Sequence, residues 1–479
     1  MRAGRHRKIA YHPLPLMDNP LTSKNRIPLW ILWCCAVIIF SVLYLLTAQR
    51  GVSWQDSGMF QWRIISGDII GHLGIALAHP FYIILGRLVL LLPGTNTMFK
   101  INSMSGVCMA IALANLLVIT ARYSGKIMIG IATVMLVAVM HTVWWLATVA
   151  EVYSMQLAIF TTELLILFRL LEQPSGKTAV LLFFFNGLGL SIHNLALLPL
   201  PVYIIAVVTL ARQKKLKPAT FLLILTAYTA GASLFISLII KHVSMHGDIV
   251  AALQSALVGI YAQAVFNMHF FGNYFLVNAG LISLNFINIM LPCAMIGWLS
   301  LKRNIGLLPS GLIMAITIIE ALFVIRYPVP DQFTFLLPTI AMIALAAAIG
   351  ISVLTHKSDV QKRLVIAGCI FSILMPPFVY AAIPMFAARI GIEVQRPREL
   401  PFRDELRYWI VPWKHNERSA ELFARTALSE SVPDGTIICD GTSLYPLKIT
   451  QRLEQLAPHV RLTTTFEIKR ELQSRNAET

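Results

Sequence analysis

Charge is scarce in this chain: 13% of its 479 residues are Asp, Glu, Lys or Arg, about half the share carried by a soluble domain. That scarcity, together with 57% hydrophobic residues and a mean hydropathy of +0.71, excludes an ordinary soluble domain and leaves a polytopic membrane protein. Thiol chemistry has no pattern to rest on. Cys34, Cys35, Cys108, Cys293, Cys369 and Cys439 form no C-x-x-C pair and no spacing that suggests a metal site or a disulfide framework. Internal repeats and low-complexity segments are missing too. Acids are sparse before residue 388: residues 388–479 hold 14 of the 39 basic and 13 of the 23 acidic residues, leaving 25 and 10. The net charge of +16 therefore sits in the apolar part, where basic loops flank spans on the cytoplasmic side. This argues against nucleic acid as a partner.

What the chain has is apolar runs. The first, from about residue 28 to 48, is long enough to cross a bilayer. It follows a basic leader (Arg2, Arg5, Arg7, Lys8, Lys24, Arg26), which reads as a signal anchor rather than a cleaved signal peptide. Further runs lie near 75–93, 101–121, 126–147, 150–170, 178–211, 218–240, 274–299, 305–325, 333–354 and 362–387. If 75–93 does not cross and 178–211 crosses twice, 19 of the 25 basic residues fall inside and 6 outside. The rival topology, in which 75–93 crosses and 178–211 crosses once, distributes them less well. It also puts Glu151 on the opposite face from Asp56.

The preferred reading is an all-α membrane protein with about eleven spans. It has a cytoplasmic N-terminus (1–27), a transmembrane domain (28–387) and a small extracytoplasmic α/β module (388–479). The strands of that module are expected at 436–439, after the Pro433-Asp434-Gly435 turn, and at about 459–465.

Acids at membrane depth are costly and mark functional candidates. Asp56 follows the first span, and Glu151-Val152-Tyr153 interrupts one of the most apolar stretches. Each also has a bland reading: Asp56 as a solvated loop acid, Glu151 as an interfacial acid in a belt with Trp144, Trp145 and Tyr153. His79-Pro80 opens a segment and could be a boundary only, and His193-Asn194 breaks an apolar run, where a polar pair often just bonds across helices. Arg326 and Asp331 bracket Tyr-Pro-Val-Pro; they could clamp each other, or Arg326 could hold a phosphate. His242 and His246 stand at i, i+4 with no third ligand nearby, so no metal site is assigned.

Taken together these features are more specific. Asp56 in a first loop, His79-Pro80, Glu151-Val152-Tyr153, Gly187-Leu-Gly-Leu-Ser-Ile-His193-Asn194, Tyr327-Pro-Val-Pro-Asp-Gln-Phe333 and a short tail resemble the GT-C membrane glycosyltransferases. Within them the chain is most similar to the protein O-mannosyltransferase-like group known as the domain of unknown function 2723 family. Met59 stands where that group shows Glu, and Phe81-Tyr82 where it shows Pro-Gly. These departures put in doubt a second loop carboxylate and suggest a remodelled pocket.

The resemblance implies transfer of a sugar from a polyprenyl-phosphate carrier to a hydroxyl of a protein or glycan on the extracytoplasmic face of a multi-pass protein of the cell membrane. Asp56 would serve as base in an inverting displacement and Glu151 would orient it or the acceptor. Tyr153, Asn194 and Asp331 are candidate substrate contacts, and Arg326, His79 and His193 candidates for holding the phosphate. A divalent metal is left open. A transporter or flippase of lipid-linked sugars is the alternative; such proteins often show inverted repeats, and none is visible.

Overall fold

The computed structural model describes residues 28–469 apart from 357 and 392–399. The basic leader and Lys357, both among the 19 basic residues expected inside, lie outside the described residues. Helix α1 (Leu29–Thr47) leads into the short α2 (Gln55–Ser66), a 3₁₀ turn at Ile75–Leu77 and α3 (Pro80–Leu90). The 11 residues of α3 reach about 16 Å, and with the preceding turn the apolar helical segment runs over Ile75–Leu90. Next come α4 (Thr97–Ser124), α5 (Ile127–Ala138), α6 (His141–Thr148), α7 (Val152–Glu172) and α8 (Gly176–Leu190). After a 3₁₀ turn at Asn194–Leu197 follow α9 (Leu200–Arg212), α10 (Ala219–Gly231), α11 (Ser233–His246), α12 (Ile249–Leu257) and α13 (Ala262–Val265). The helical domain closes with α14 (Asn273–Asn285), α15 (Met290–Ile305), α16 (Leu307–Ile325), a 3₁₀ turn at Gln332–Phe335, α17 (Leu336–Thr355) and α18 (Asp359–Arg389).

Among the described residues seven helices, some counted with an adjoining 3₁₀ turn, are long and apolar enough to cross a membrane. Three bent pairs, α5–α6 (69°), α10–α11 (70°) and α14–α15 (97°), raise the number to ten. The expected eleven needs one of two shorter apolar helical segments, Ile75–Leu90 or α8. Hydropathy does not mark the α5–α6 bend, because Val139 and Met140 at the break are as apolar as their neighbours; the α14–α15 break carries Asn285 and Asn288.

The tail is a small α/β unit: α19 (Glu405–Ile410), α20 (Ser419–Ser429), β1 (Thr436–Cys439), α21 (Gly441–Glu454) and β2 (Arg461–Thr464). The two strands pair in parallel, Thr436 opposite Arg461, with α21 as the crossover. This is where the turn and the apolar tetrapeptide placed the first strand. The tail docks on the end of the bundle that carries α2. Trp54 Nε1 donates to Ser419 Oγ (2.8 Å), Lys414 N to the Thr47 carbonyl (2.8 Å) and Thr148 Oγ1 to the Pro412 carbonyl (2.8 Å).

At that junction Lys414 is buried, its ammonium against the Tyr408 and Trp145 rings and bonded to the Tyr408 carbonyl. Burial pushes its pKa down to about 7. A lysine whose folded value lies below its unfolded one binds more protons when unfolded, so stability rises with pH between the two values. The thermal midpoint is expected to climb from pH 7 towards 10, and Lys414→Met to flatten that slope. A pH series of unfolding curves on both proteins checks it; equal slopes would count against a buried titrating lysine.

Candidate active site

The polar residues singled out in the sequence gather where helices begin. Asp56 lies in the first turn of α2, and His79 is the N-cap of α3. Glu151 is the N-cap of α7, His193 of the turn at Asn194–Leu197, and Asp331 of the turn that runs into α17. All five side chains line one cavity of about 200 Å³, with Tyr153, Asn194 and apolar or aromatic walls that include Phe60, Tyr261, Tyr327 and Phe335.

A polar network fixes the start of α2. Ser53 N donates to Gln61 Oε1 (2.9 Å), Gln61 Nε2 to Asn102 Oδ1 (3.0 Å) and Asn102 Nδ2 to the Gln49 carbonyl (2.9 Å), tying the α1–α2 turn to α4. Ser57, next to Asp56, donates to Glu151 Oε1 (2.7 Å), and Ser105 on α4 bonds both the Glu151 N–H (3.0 Å) and its carbonyl (3.1 Å). Glu151 is thus held from two helices at an extended break between α6 and α7.

Asp56 differs. Its surface opens to the cavity, while protein crowds it on most sides. Burial, then the charge of Asp331, raises its pKa to about 7. Burial and then Asp56 hold the Glu151 carboxyl well above the usual range. Asp331 is raised by burial and accepts from Tyr153 OH (3.2 Å). These carboxyls repel one another, so they ionise in sequence rather than together.

The two imidazoles stack (centroids 5.1 Å, 20°) and burial keeps both neutral, His193 at about 4. Their partners assign the protons. His79 Nδ1 faces the Ile192 carbonyl (2.6 Å) and must donate, leaving Nε2 bare. His193 Nδ1 accepts from Leu195 N (3.1 Å), so its Nε2 carries the hydrogen. His193 therefore keeps an N–H to offer and His79 a lone pair. The His79 backbone sits at φ 48°, a left-handed conformation uncommon outside glycine.

Arg326 is placed otherwise than expected. Its Nη1 donates to the carbonyls of Val265 (2.5 Å) and Asn267 (3.0 Å), so it clamps the segment after α13; it neither pairs with Asp331 nor lines the cavity. Asn194 lines the cavity but spends its amide on the Ala256 (2.7 Å) and Leu257 (3.2 Å) carbonyls at the end of α12. Among the described residues no Lys or Arg lines the cavity, and no three His, Cys, Asp or Glu side chains converge to hold a metal ion, His242 and His246 included.

Sequence reading passed over Ser57, Ser105 and Arg63. Arg63, buried in α2, donates to the carbonyls of Asp68, Ile69, Leu77 and Ala78 and so shapes the loop that delivers His79. Only its being an arginine within an apolar amphipathic stretch could have flagged it.

Comparison with known proteins agrees with the fold. Residues 76–217 match the family model described as the protein O-mannosyl-transferase TMEM260 N-terminal domain. The structure of ArnT from Cupriavidus metallidurans bound to undecaprenyl phosphate superposes with a TM-score of 0.57 at 10% identity, covering 91% of this chain and 89% of that one. The same protein in the apo state gives 0.53 at 12% identity, over 88% and 84%. No curated protein sequence matches the chain. The resemblance to GT-C membrane glycosyltransferases of the O-mannosyltransferase-like group thus holds on a family match and on a shared fold.

Proposed function

We propose that this chain is a membrane glycosyltransferase that moves a sugar from a polyprenyl-phosphate donor to an acceptor hydroxyl, with inversion, on the extracytoplasmic face. The observation that carries the reading is the single cavity onto which Asp56, Glu151, Asp331 and His193 all open. The fold shared with a protein solved with undecaprenyl phosphate supports the donor class, and the matched O-mannosyl-transferase domain supports a hexose and a protein hydroxyl as first choices.

In the step proposed, the acceptor oxygen attacks the anomeric carbon as its proton passes to the Asp56 carboxylate. The bond from the anomeric carbon to the phosphate oxygen breaks, and polyprenyl phosphate leaves with the electron pair. A base of this kind is worth about 10²- to 10⁴-fold. Glu151, fastened by Ser57 and Ser105, positions Asp56 through the α2 start.

The leaving phosphate needs positive potential, and Arg326 is committed elsewhere. Helix N-termini carry partial positive charge. Those of α2, α3 and α7, the start of the 332–355 helical stretch and the His193 N–H face the cavity and supply it. Tyr153, anchored to Asp331, offers a ring for the sugar face.

The test is transfer from radiolabelled polyprenyl-phosphate sugars by purified protein, with peptide and glycan acceptors. Product with either class of acceptor supports the reading; an intact donor with every sugar and acceptor tried overturns it. If Asp56 is the base, activity rises with pH through about 7, where its carboxyl ionises. Asp331→Asn removes the neighbouring charge that raises Asp56, so the rising limb is expected at lower pH. A limb that stays put would detach Asp331 from the base.

A further inference from the structure

A second cavity, of about 360 Å³, opens between the loop after α2 and helix α11, and it shares no lining residue with the cavity that holds Asp56. Its walls are apolar: Ile69 and Ile70 from the loop, Pro80 and Ile84 one turn apart on α3, and Leu234 and Leu238 one turn apart on α11. Ile70 is 37% exposed, and Ile240, next to the lining residue Lys241, is 63% exposed. The α11 wall belongs to a bent pair long and apolar enough to cross a membrane. The groove therefore opens towards lipid, and a molecule already in the bilayer reaches it.

Positive charge gathers at this groove. Lys241 lines it, and Arg87 stands at its edge, because a Cβ on the lining residue Gly67 would collide with Arg87 Nη1. That guanidinium makes one long bond, from Nη1 to the Ile64 carbonyl (3.4 Å). Neither cation pairs with a carboxylate among the described residues. Asp68 lines the groove as well, but it is one acid against three cations, since Arg63 is buried behind it with Nε on the Asp68 carbonyl (3.1 Å). The remaining polar atoms accept. Ser237 Oγ gives its hydrogen to the Leu234 carbonyl (2.7 Å), and Asp68 Oδ2 is left once Oδ1 takes the Gly71 N–H (2.8 Å). A fitting ligand thus carries a negative charge, hydroxyl donors and an apolar tail.

We infer that this groove binds an anionic glycerophospholipid with a hydroxylated head group, of the phosphatidylglycerol class. Its phosphodiester would lie between Lys241 and Arg87, as basic pockets between membrane helices hold lipid phosphates. Head-group hydroxyls would donate to Asp68 and Ser237, and the start of an acyl chain would cover Ile69, Ile84 and Leu238. A polyprenyl-phosphate donor does not fit the same place, since its phosphate must reach the cavity of Asp56 and the two cavities have no wall residue in common. Phosphatidylethanolamine brings hydrogen-bond donors but no net charge, and would leave the cations uncompensated.

The test uses the full chain in detergent, stripped of lipid and with no sugar donor present, so its outcome is independent of glycosyl transfer. A lipid that binds the folded state alone raises the thermal midpoint with the logarithm of its concentration. Phosphatidylglycerol is expected to produce that climb, and phosphatidylcholine and phosphatidylethanolamine with the same acyl chains to produce none. Lys241→Gln and Arg87→Gln should each weaken the apparent affinity roughly tenfold, the scale of one charge-assisted hydrogen bond, while leaving the lipid-free midpoint unchanged. Equal climbs with phosphatidylglycerol and phosphatidylcholine would overturn the site, as would a phosphatidylglycerol response untouched by both substitutions, which places the lipid elsewhere. Phosphatidylmethanol, of the same charge without head-group hydroxyls, should bind more weakly; equal binding would overturn the role given to Asp68 and Ser237. A response to undecaprenyl phosphate in place of phosphatidylglycerol would overturn the phospholipid assignment and make the groove part of the donor's path. If a variant fails to fold, native mass spectrometry of wild type decides: one phosphatidylglycerol retained per chain, with no phosphatidylcholine, supports the site and none overturns it.

Discussion

Asp56→Asn is expected to lower sugar transfer by about 10²- to 10⁴-fold, the usual worth of a positioned base, while leaving the protein folded. The substitution keeps the shape of the side chain and removes its ability to take a proton. It also relieves a cost. Because burial and Asp331 raise the Asp56 carboxyl from its ordinary value to about 7, ionising it weakens the folded state as pH rises across that window. Asn does not ionise, so the variant should be no less stable than wild type at pH 8 while being nearly inactive. Initial rates with a radiolabelled donor and a melting curve at pH 6 and pH 8 make the comparison. Undiminished transfer would remove Asp56 as base, whatever the melting curves show. Loss of activity together with loss of the fold would leave the role of Asp56 to the pH profile of the wild type.

Gly350→Leu is expected to yield no monodisperse folded protein. Helices α15 and α17 cross with their backbones in contact at Gly297 and Gly350. A Cβ on Gly350 would overlap the Cys293 carbonyl, and one on Gly297 the Ala346 carbonyl. Cys293-x₃-Gly297 faces Ala346-x₃-Gly350, the small-x₃-small arrangement that lets helices in a membrane approach closely. Overpacking commonly costs about 1–3 kcal/mol when side chains can yield. Here the obstacle is main chain, so the helices must separate, and a domain whose whole stability is on the order of 5–15 kcal/mol has little to spare. Size-exclusion profiles of tagged protein in detergent read the outcome, with Gly350→Ala giving a smaller loss. A sharp wild-type-like peak for Gly350→Leu would mean that the two helices can part without consequence.

Much of the architecture was legible because its causes are local. Apolar runs long enough to span a bilayer, basic loops and a charge-balanced tail with a Pro-Asp-Gly turn each carry their meaning within some twenty residues. The strand at Thr436–Cys439 follows from them directly. The bend between α5 and α6 was not legible. The α5–α6 break falls in Val139-Met140, as apolar as the helices on either side, and is imposed by packing. Of the site residues, Asp56, His79, Glu151 and His193 announced themselves because each breaks an apolar pattern. Ser57 and Ser105 did not, since a serine in a membrane helix is ordinary until its partner is known. Arg326 misled for a related reason: the sequence shows an arginine free to meet a phosphate, while the fold spends it on the carbonyls of Val265 and Asn267.

By itself, then, the sequence determined that this is a membrane protein with rare polar interruptions and a small α/β tail, because hydropathy and charge act on each stretch of chain independently. Only the tertiary structure decided which interruptions meet. Asp56 and Glu151 are ninety-five residues apart, and they reach one cavity because α2 is pinned to α4 through Gln61 and Asn102 while Ser105 of α4 holds Glu151. The same contacts bring helix starts, rather than basic side chains, to the cavity. No local pattern encodes that, since the field of a helix end depends on where the helix points.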